Sequence, residues 1–278
     1  MRVGYTSHGA RIALREHVDK SSNNYKNRDA KMKSGLSVGH GLPVLVAIVA
    51  MSITSTNVSA ENTKQKAPAA EQPSKERTLL IKGGDALKKG EAQKAITEYF
   101  DPVIQHYTEI YKGETKRIYS AQNMMQAIMY VALPDDKKLG TEVVDGTWAD
   151  AYLMKAYALT ELGKLKEAQQ ALESAIGLSP MNSQYLSELA YTYQAMKDCD
   201  KSIEKYTQAA SMAELASEEA TKTTDLTRAW RGRGYCLVEQ GKLEEAEAMY
   251  RKSLALDPKD DKSKGELNYI QGLKSGKK

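Results

Sequence analysis

Residues 149–180 read ADAYLMKAYALTELGKLKEAQQALESAIGLSP, and residues 227–258 read TRAWRGRGYCLVEQGKLEEAEAMYRKSLALDP. Eight positions recur in both stretches at the same spacing. In the first they are Tyr152, Ala156, Leu159, Gly163, Ala168, Leu172, Ala175 and Pro180, and in the second Trp230, Gly234, Leu237, Gly241, Ala246, Tyr250, Ser253 and Pro258. Good helix formers dominate both stretches, so each predicts two helices joined at the central glycine.

The recurring residues have packing roles. Small residues such as Ala156 and Ala168 allow two helices to approach closely. Gly163 permits the positive φ that a tight turn requires. Pro180 ends a helix because proline has no amide N–H and clashes with the preceding turn. The pattern therefore indicates a structural repeat and not a catalytic motif.

A third copy lies between the two. It consists of Leu186, Leu189, Ala190, Tyr193, Ser202, Tyr206 and Ala209. This copy starts at Ser183, has Lys197 in place of the turn glycine, and lacks the closing proline. The following copy starts at Thr227, later than a regular repeat would place it, and we expect the extra residues near Ser211–Ala220 to lengthen the second helix of the third copy.

Weaker signals flank the three copies. An upstream copy comprises Leu79, Gly83, Ala86, Gly90, Ala95 and Tyr99, with Pro102 in place of a small residue. Lys116–Leu133 predicts an extra helix and the following PDDKKLG predicts a loop. Lys262–Leu273 predicts a closing helix whose apolar face includes Leu267 and Ile270.

The repeats resemble the tetratricopeptide (TPR) family, whose unit is a helix–turn–helix of 34 residues. The resemblance runs from about Leu79 to Pro258 and is strongest from Ala149. It implies an all-α TPR solenoid over residues 75–274, with one lengthened repeat and a C-terminal capping helix, followed by a tail at 275–278. The best repeats are 149–182, 183–226 with the insertion, and 227–260.

Residues 1–60 have the order of segments found in a leader sequence. Lys31 and Lys33 precede the apolar stretch LPVLVAIVAMSI at 42–53, and a cleavage-site pattern of small residues follows at Val58-Ser59-Ala60. This order is typical of a signal peptide, so we expect cleavage near Ala60 and an exported, periplasmic product that touches the membrane only during export. The alternative is an inner-membrane anchor at 42–53.

The leader is unusually long. Either translation starts at Met32, or the leader has a long cytoplasmic n-region, and the sequence leaves both explanations open. The stretch ENTKQKAPAAEQPS at 61–74 has proline, alanine and charge without a periodic apolar pattern. That composition predicts a disordered linker between the leader and the helical array.

Charge argues against nucleic acid as a partner. The whole chain has a formal net charge of +4. Residues 1–60 contain eight lysines and arginines and three acidic residues, which leaves 32 basic and 33 acidic residues in 61–278. A surface that tracks phosphates needs a concentrated positive field, and the array has none in its sequence.

Motifs for chemistry are also missing from the sequence. It contains no CxxC or HExxH metal signature and no glycine-rich phosphate loop. We therefore expect no enzyme activity, no metal and no cofactor. The expected partner is another protein.

In TPR proteins the first helices of successive repeats line a concave groove that holds a peptide, and the resemblance implies such a groove here. The groove positions expected to contact a ligand are Leu153, Tyr157, Glu161, Glu188, Tyr191, Gln194, Arg228, Arg231 and Tyr235. Tyrosine recurs at the ninth position of all three first helices, where TPR proteins that hold chaperone tails commonly have asparagine. The tyrosines suit peptide recognition, and packing between helices is the alternative.

Two cysteines, Cys199 and Cys236, fall in adjacent copies. In an exported protein two cysteines tend to pair, which predicts a disulfide, and two buried free thiols are the alternative.

The sequence as a whole predicts an exported adaptor that binds a segment of another protein in its groove, for envelope assembly or secretion. The alternative is a structural subunit of a larger or self-associated envelope complex.

Overall fold

The computed structural model describes residues 73–216 and 218–276, and the chain there is a succession of packed helix pairs with one small insertion. The elements are α1 (Lys75–Lys88), α2 (Ala92–Lys94), a π-helical stretch (Ala95–Phe100), α3 (Asp101–Ile110), β1 (Arg117–Ala121), α4 (Met124–Val131), β2 (Thr141–Asp145), α5 (Thr147–Glu161), α6 (Leu165–Leu178), α7 (Ser183–Ala195), α8 (Cys199–Ala213), α9 (Glu219–Glu239), α10 (Leu243–Leu256) and α11 (Asp261–Lys274). The fold is all-α in class, as the repeat pattern predicts.

The three predicted copies are the helix pairs α5/α6, α7/α8 and α9/α10, each packed against the next. Gly163 and Gly241 turn the first and last pairs with φ of 75° and 74°. Lys197 occupies the same turn in the middle pair with φ of 64°. A non-glycine side chain therefore tolerates the left-handed conformation here, at the cost of some backbone strain.

Small residues bring the paired helices together. Ala156, Ala168 and Ala246 are at most 1% exposed. At Gly234 a Cβ atom would lie 2.8 Å from the ring of Tyr250, so only glycine fits the present spacing between α9 and α10. The predicted capping helix is also present, as α11, which packs on α10.

The predicted extra helix over Lys116–Leu133 is wrong in its first part. Arg117–Ala121 forms β1, which pairs in parallel with β2, and α4 is the crossover between them. The amide of Arg117 donates to the carbonyl of Gly140 at 3.0 Å. Asn123 starts α4 by accepting the amide of Gln126 at 2.9 Å, and this N-cap ends the strand.

The extra residues before Thr227 also lie differently from the prediction. The second helix α8 ends at Ala213, with the same length as its counterparts to within one residue, so it is not lengthened. Turn residues follow at 214–215, and the additional residues extend the start of α9. Asp225 and Leu226 in this extension are 7% and 2% exposed, so burial against the preceding repeat favours the longer first helix.

The predictions about the leader, the signal peptide and its cleavage near Ala60, and most of the linker fall on residues 1–72, outside the described part of the chain. Among the described residues, no helix combines the length and the apolar character needed to cross a bilayer.

Candidate functional site

The first helices α5, α7 and α9 lie side by side, and α11 continues the row beyond α9. We call the surface formed by Glu161, Tyr191, Gln194, Arg231 and Tyr235 the first-helix face. These five predicted groove residues are partly exposed. They are the members of the predicted set that a partner can reach.

The remaining predicted groove residues lie deeper. Leu153 and Tyr157 are 1% and 2% exposed and belong to the hydrophobic core. Glu188 is 6% exposed, and the Arg228 side chain is 17% exposed. The expectation that Leu153 and Tyr157 face a ligand is therefore corrected: neighbouring helices cover them because α5 packs against α1, the π-helical stretch and α3 as well as against α6.

Buried polar contacts join α5 to α7. The hydroxyl of Tyr185 donates to Asp150 Oδ1 at 2.6 Å, and both residues are buried. The Gln122 amide, from the loop after β1, donates to Asp150 at 3.0 Å and to the Tyr185 hydroxyl at 2.6 Å. The insertion therefore contributes a side chain to the junction of two repeats, which the repeat pattern did not predict.

An ion pair joins α7 to α9. Arg228 Nη1 lies 3.9 Å from Glu188 Oε1 and 3.7 Å from Asp225 Oδ1. Burial by itself lowers the pKa of Arg228, but the carboxylates of Asp225 and Glu188 reverse this, and the net shift is upward. The guanidinium thus stays charged, and its charge is balanced within the protein.

A third polar contact joins α9 to α11. Arg231 Nη1 donates to Asp260 Oδ2 at 3.0 Å, and the hydroxyls of Ser253 and Ser263 donate to the same oxygen. Burial alone raises the pKa of Asp260, but the two hydroxyls and the Arg231 charge lower it to about 2. Asp260 is therefore ionised at neutral pH, and Arg231 is already paired.

We call these three junctions the polar ladder: Asp150–Tyr185, Arg228 with Glu188 and Asp225, and Arg231–Asp260. The sequence predicted that Arg228 and Arg231 contact a ligand in the groove. The structure pairs both arginines with carboxylates of the chain itself: Glu188 on the neighbouring first helix, Asp225 one turn earlier on α9, and Asp260 at the N-cap of α11. The reachable surface is consequently rich in tyrosine and amide groups and nearly balanced in charge.

The insertion is held to the array by aromatic and polar contacts. Trp148 at the start of α5 stacks on Tyr107 of α3 and on Tyr111 at the C-cap of that helix, with ring centroids 5.5 and 5.6 Å apart. The Tyr111 hydroxyl donates to Glu142 of β2 at 3.0 Å, and burial followed by this bond raises the pKa of Tyr111 to about 12. The outer side of α4 has no such partner among the described residues and exposes Met124, Met125, Ile128 and Val131 by 49–62%.

Comparison with family models decides what the repeats are. Two models described as tetratricopeptide repeat match, one over residues 149–182 and the other over 182–259. Residues 149–259 are tetratricopeptide repeats. The TPR boundaries agree with the three helix pairs, and neither model describes a catalytic family.

Several solved structures are similar to this chain. The first TPR of Spaghetti (RPAP3), bound to an HSP90 peptide, is 23% identical, with 48% of this chain and 97% of that chain covered and a TM-score of 0.41. The Yersinia enterocolitica type III secretion chaperone SycD, in complex with a peptide of the translocator YopD, is 20% identical, with 45% and 93% covered and a TM-score of 0.39. Pseudomonas aeruginosa PilF is 13% identical, with 72% and 69% covered and a TM-score of 0.49. The comparison with curated proteins gave no match.

Proposed function

We propose that the chain is an exported adaptor that binds a peptide or helical segment of another protein on the first-helix face of its TPR array, in cell-envelope assembly or secretion. The observation that carries the proposal is the character of this face. Tyr191, Gln194 and Tyr235 are partly exposed on adjacent first helices, which the polar ladder holds in register.

The chemistry of the face indicates the kind of segment it binds. Tyrosine provides a flat apolar surface and a hydroxyl at a low cost in side-chain entropy, and an amide such as Gln194 can donate to and accept from a peptide backbone. Because Arg228 and Arg231 are paired internally, a strongly acidic tail is a poor ligand. We therefore infer a segment with aromatic or aliphatic anchors and little net charge.

The location of the adaptor is proposed from the leader. The apolar stretch at 42–53, the lysines before it and the small residues ending at Ala60 support export with cleavage. The same stretch, if it is retained, would anchor the array at the inner membrane. In both cases the array faces the same compartment and the proposed binding mode is the same.

Replacing Tyr191 and Tyr235 together with alanine is expected to weaken partner binding at least 10-fold, because both anchors on the face are removed. Crosslinking capture from the exported fraction, followed by titration of the captured partner, measures this. Tyr157 is left intact, since alanine at this buried position would open a cavity in the core. Lys205→Ala with Gln208→Ala on the second helix α8 is the matched control. Unchanged affinity in a folded double tyrosine variant would contradict the proposal.

A second function, that of a self-associating subunit, is favoured by one observation. Met124, Ile128 and Val131 follow the i, i+4, i+7 spacing of one helix face and, with Met125, are 49–62% exposed, so α4 presents an apolar patch of a kind that often has a function. A standard interface takes about 20–30 residues from each partner, so two copies meeting through α4 alone would associate weakly.

Sedimentation velocity over a wide concentration range separates the two functions. A self-associating subunit is expected to sediment faster as its concentration rises, and Ile128→Lys is expected to abolish the effect. Leu215→Lys is the matched control, since Leu215 is 49% exposed but lies outside α4. A wild-type chain that remains monomeric at every concentration rules out the self-associating subunit.

A further inference from the structure

The two cysteines lie where the second and third repeats pack together. Cys199 is the first residue of α8, and Cys236 lies one turn before the end of α9. These helices are adjacent, and next to the cysteines Gln240 Nε2 donates to Asp200 Oδ1 at 2.8 Å. The start of α8 is thus fixed against the last turn of α9.

The two cysteines flank this contact. Asp200 follows Cys199 directly, Gln240 lies about one helical turn after Cys236, and both thiols are free. Cys236 is completely buried, whereas Cys199 is partly exposed. A disulfide needs its two cysteines on facing elements with Cα atoms within about 7 Å. The hydrogen bond between Gln240 and Asp200 places the ends of α8 and α9 that carry the cysteines against each other.

We propose that Cys199 and Cys236 form a disulfide that joins the second repeat to the third when the chain meets a low-molecular-weight disulfide. The Cys199 thiolate attacks one sulfur of this donor, the donor S–S bond breaks, and the first donor thiolate leaves and takes up a proton. The Cys236 thiol then loses its proton, its sulfur attacks the Cys199 sulfur of the mixed disulfide, and the second donor thiol leaves. Two protein thiols are oxidised, and the donor is reduced to two thiols.

The different exposure of the cysteines sets this order. A donor can reach Cys199 but not the buried Cys236. Burial is the main cause that raises the pKa of Cys236 to about 12. Because the thiolate is the attacking form, Cys236 reacts slowly as the resolving thiol. The mixed disulfide at Cys199 therefore accumulates before the Cys199–Cys236 disulfide forms.

The disulfide would constrain the array at its least regular point. The segment it encloses contains the connection from α8 to α9 and the extended start of α9. A covalent link across this segment restricts the unfolded chain and fixes the angle between the two repeats that carry Tyr191 and Tyr235. The proposal does not depend on ligand binding at the first-helix face.

Intact-mass analysis of the reduced full-length chain incubated with oxidised glutathione tests the proposal. We expect a transient glutathione adduct, then a product lighter than the reduced chain by two hydrogen atoms, in which tryptic digestion gives residues 198–201 linked to residues 234–242. The thermal midpoint of this product is expected to lie several degrees above that of the reduced chain, and a phosphine reductant should remove the difference.

Single-cysteine variants provide the matched controls. Cys236→Ser is expected to stop at a stable glutathione adduct on Cys199, since the resolving thiol is missing. Cys199→Ser is expected to react far more slowly, since its remaining thiol is buried. Two stable adducts on the folded wild-type chain, or two thiols that stay fully alkylatable after oxidation, would overturn the proposal.

Discussion

Replacing Arg228 with methionine is expected to lower the free energy of unfolding by about 3 kcal/mol, because it leaves two buried carboxylates without their cation. Glu188 and Asp225 side chains are 7% and 9% exposed, so water cannot replace the guanidinium. Methionine keeps most of the apolar stem, which limits the loss to the charge itself. Urea denaturation followed by circular dichroism measures the change.

The exposed pair Arg251–Glu247 is the matched control for this prediction. Its nitrogen and oxygen lie only 2.6 Å apart, closer than those of Arg228 and Glu188, but the Arg251 side chain is 62% exposed. We expect Arg251→Met to change stability by no more than about 0.5 kcal/mol. Adding Glu188→Gln to Arg228→Met should recover part of the loss, since a neutral amide replaces an unpaired charge. Equal effects of Arg228→Met and Arg251→Met would contradict the buried ion pair.

Replacing Gly232 with alanine is expected to lower the free energy of unfolding by about 2 kcal/mol, although alanine is the better helix former. A Cβ atom at Gly232 would lie 2.1 Å from Tyr206 Cζ, and Tyr206 is only 4% exposed and cannot move away. Overpacking of this kind costs about 1–3 kcal/mol and here outweighs the gain in helix propensity of about 1 kcal/mol.

Gly265 in α11 separates the effect of helix propensity from that of overpacking. No atom lies within 4 Å of a Cβ built at this position. Gly265→Ala is therefore expected to raise the free energy of unfolding by about 0.5–1 kcal/mol, opposite in sign to the effect of Gly232→Ala. If thermal or urea denaturation gave both variants the same sign, the close approach of α9 and α8 at Tyr206 would be wrong.

The repeat fold follows from the sequence because its determinants are local. Small residues such as Ala168 and Ala246, and turn glycines such as Gly163, recur at fixed spacing and have the same role in every copy. The β1–α4–β2 insertion was not predicted, because five-residue strands carry too little alternation to be separated from an apolar helix. The longer α9 was missed because the residue at which this helix begins depends on burial of Leu226 against the preceding repeat.

The functional face was predicted only in part. The tyrosine at the ninth position of each first helix was found, but the burial of Tyr157 depends on how α5 packs against the upstream helices. The pairing of Arg228 with Glu188 requires the register between two helices that are distant in sequence, which no local pattern gives. Gln122 contributes from an element that lies outside the repeats altogether.

Site-specific photocrosslinking in cells tests the central claim, binding of a partner on the first-helix face, most directly. A photoreactive residue is placed at Gln194 on α7 or, as the control, at Gln208 on the second helix α8. The account predicts one heterologous adduct from Gln194, lost when Tyr191 and Tyr235 are both alanine, and none from Gln208. Equal adducts from both positions, or adducts from Gln208 alone, would contradict it.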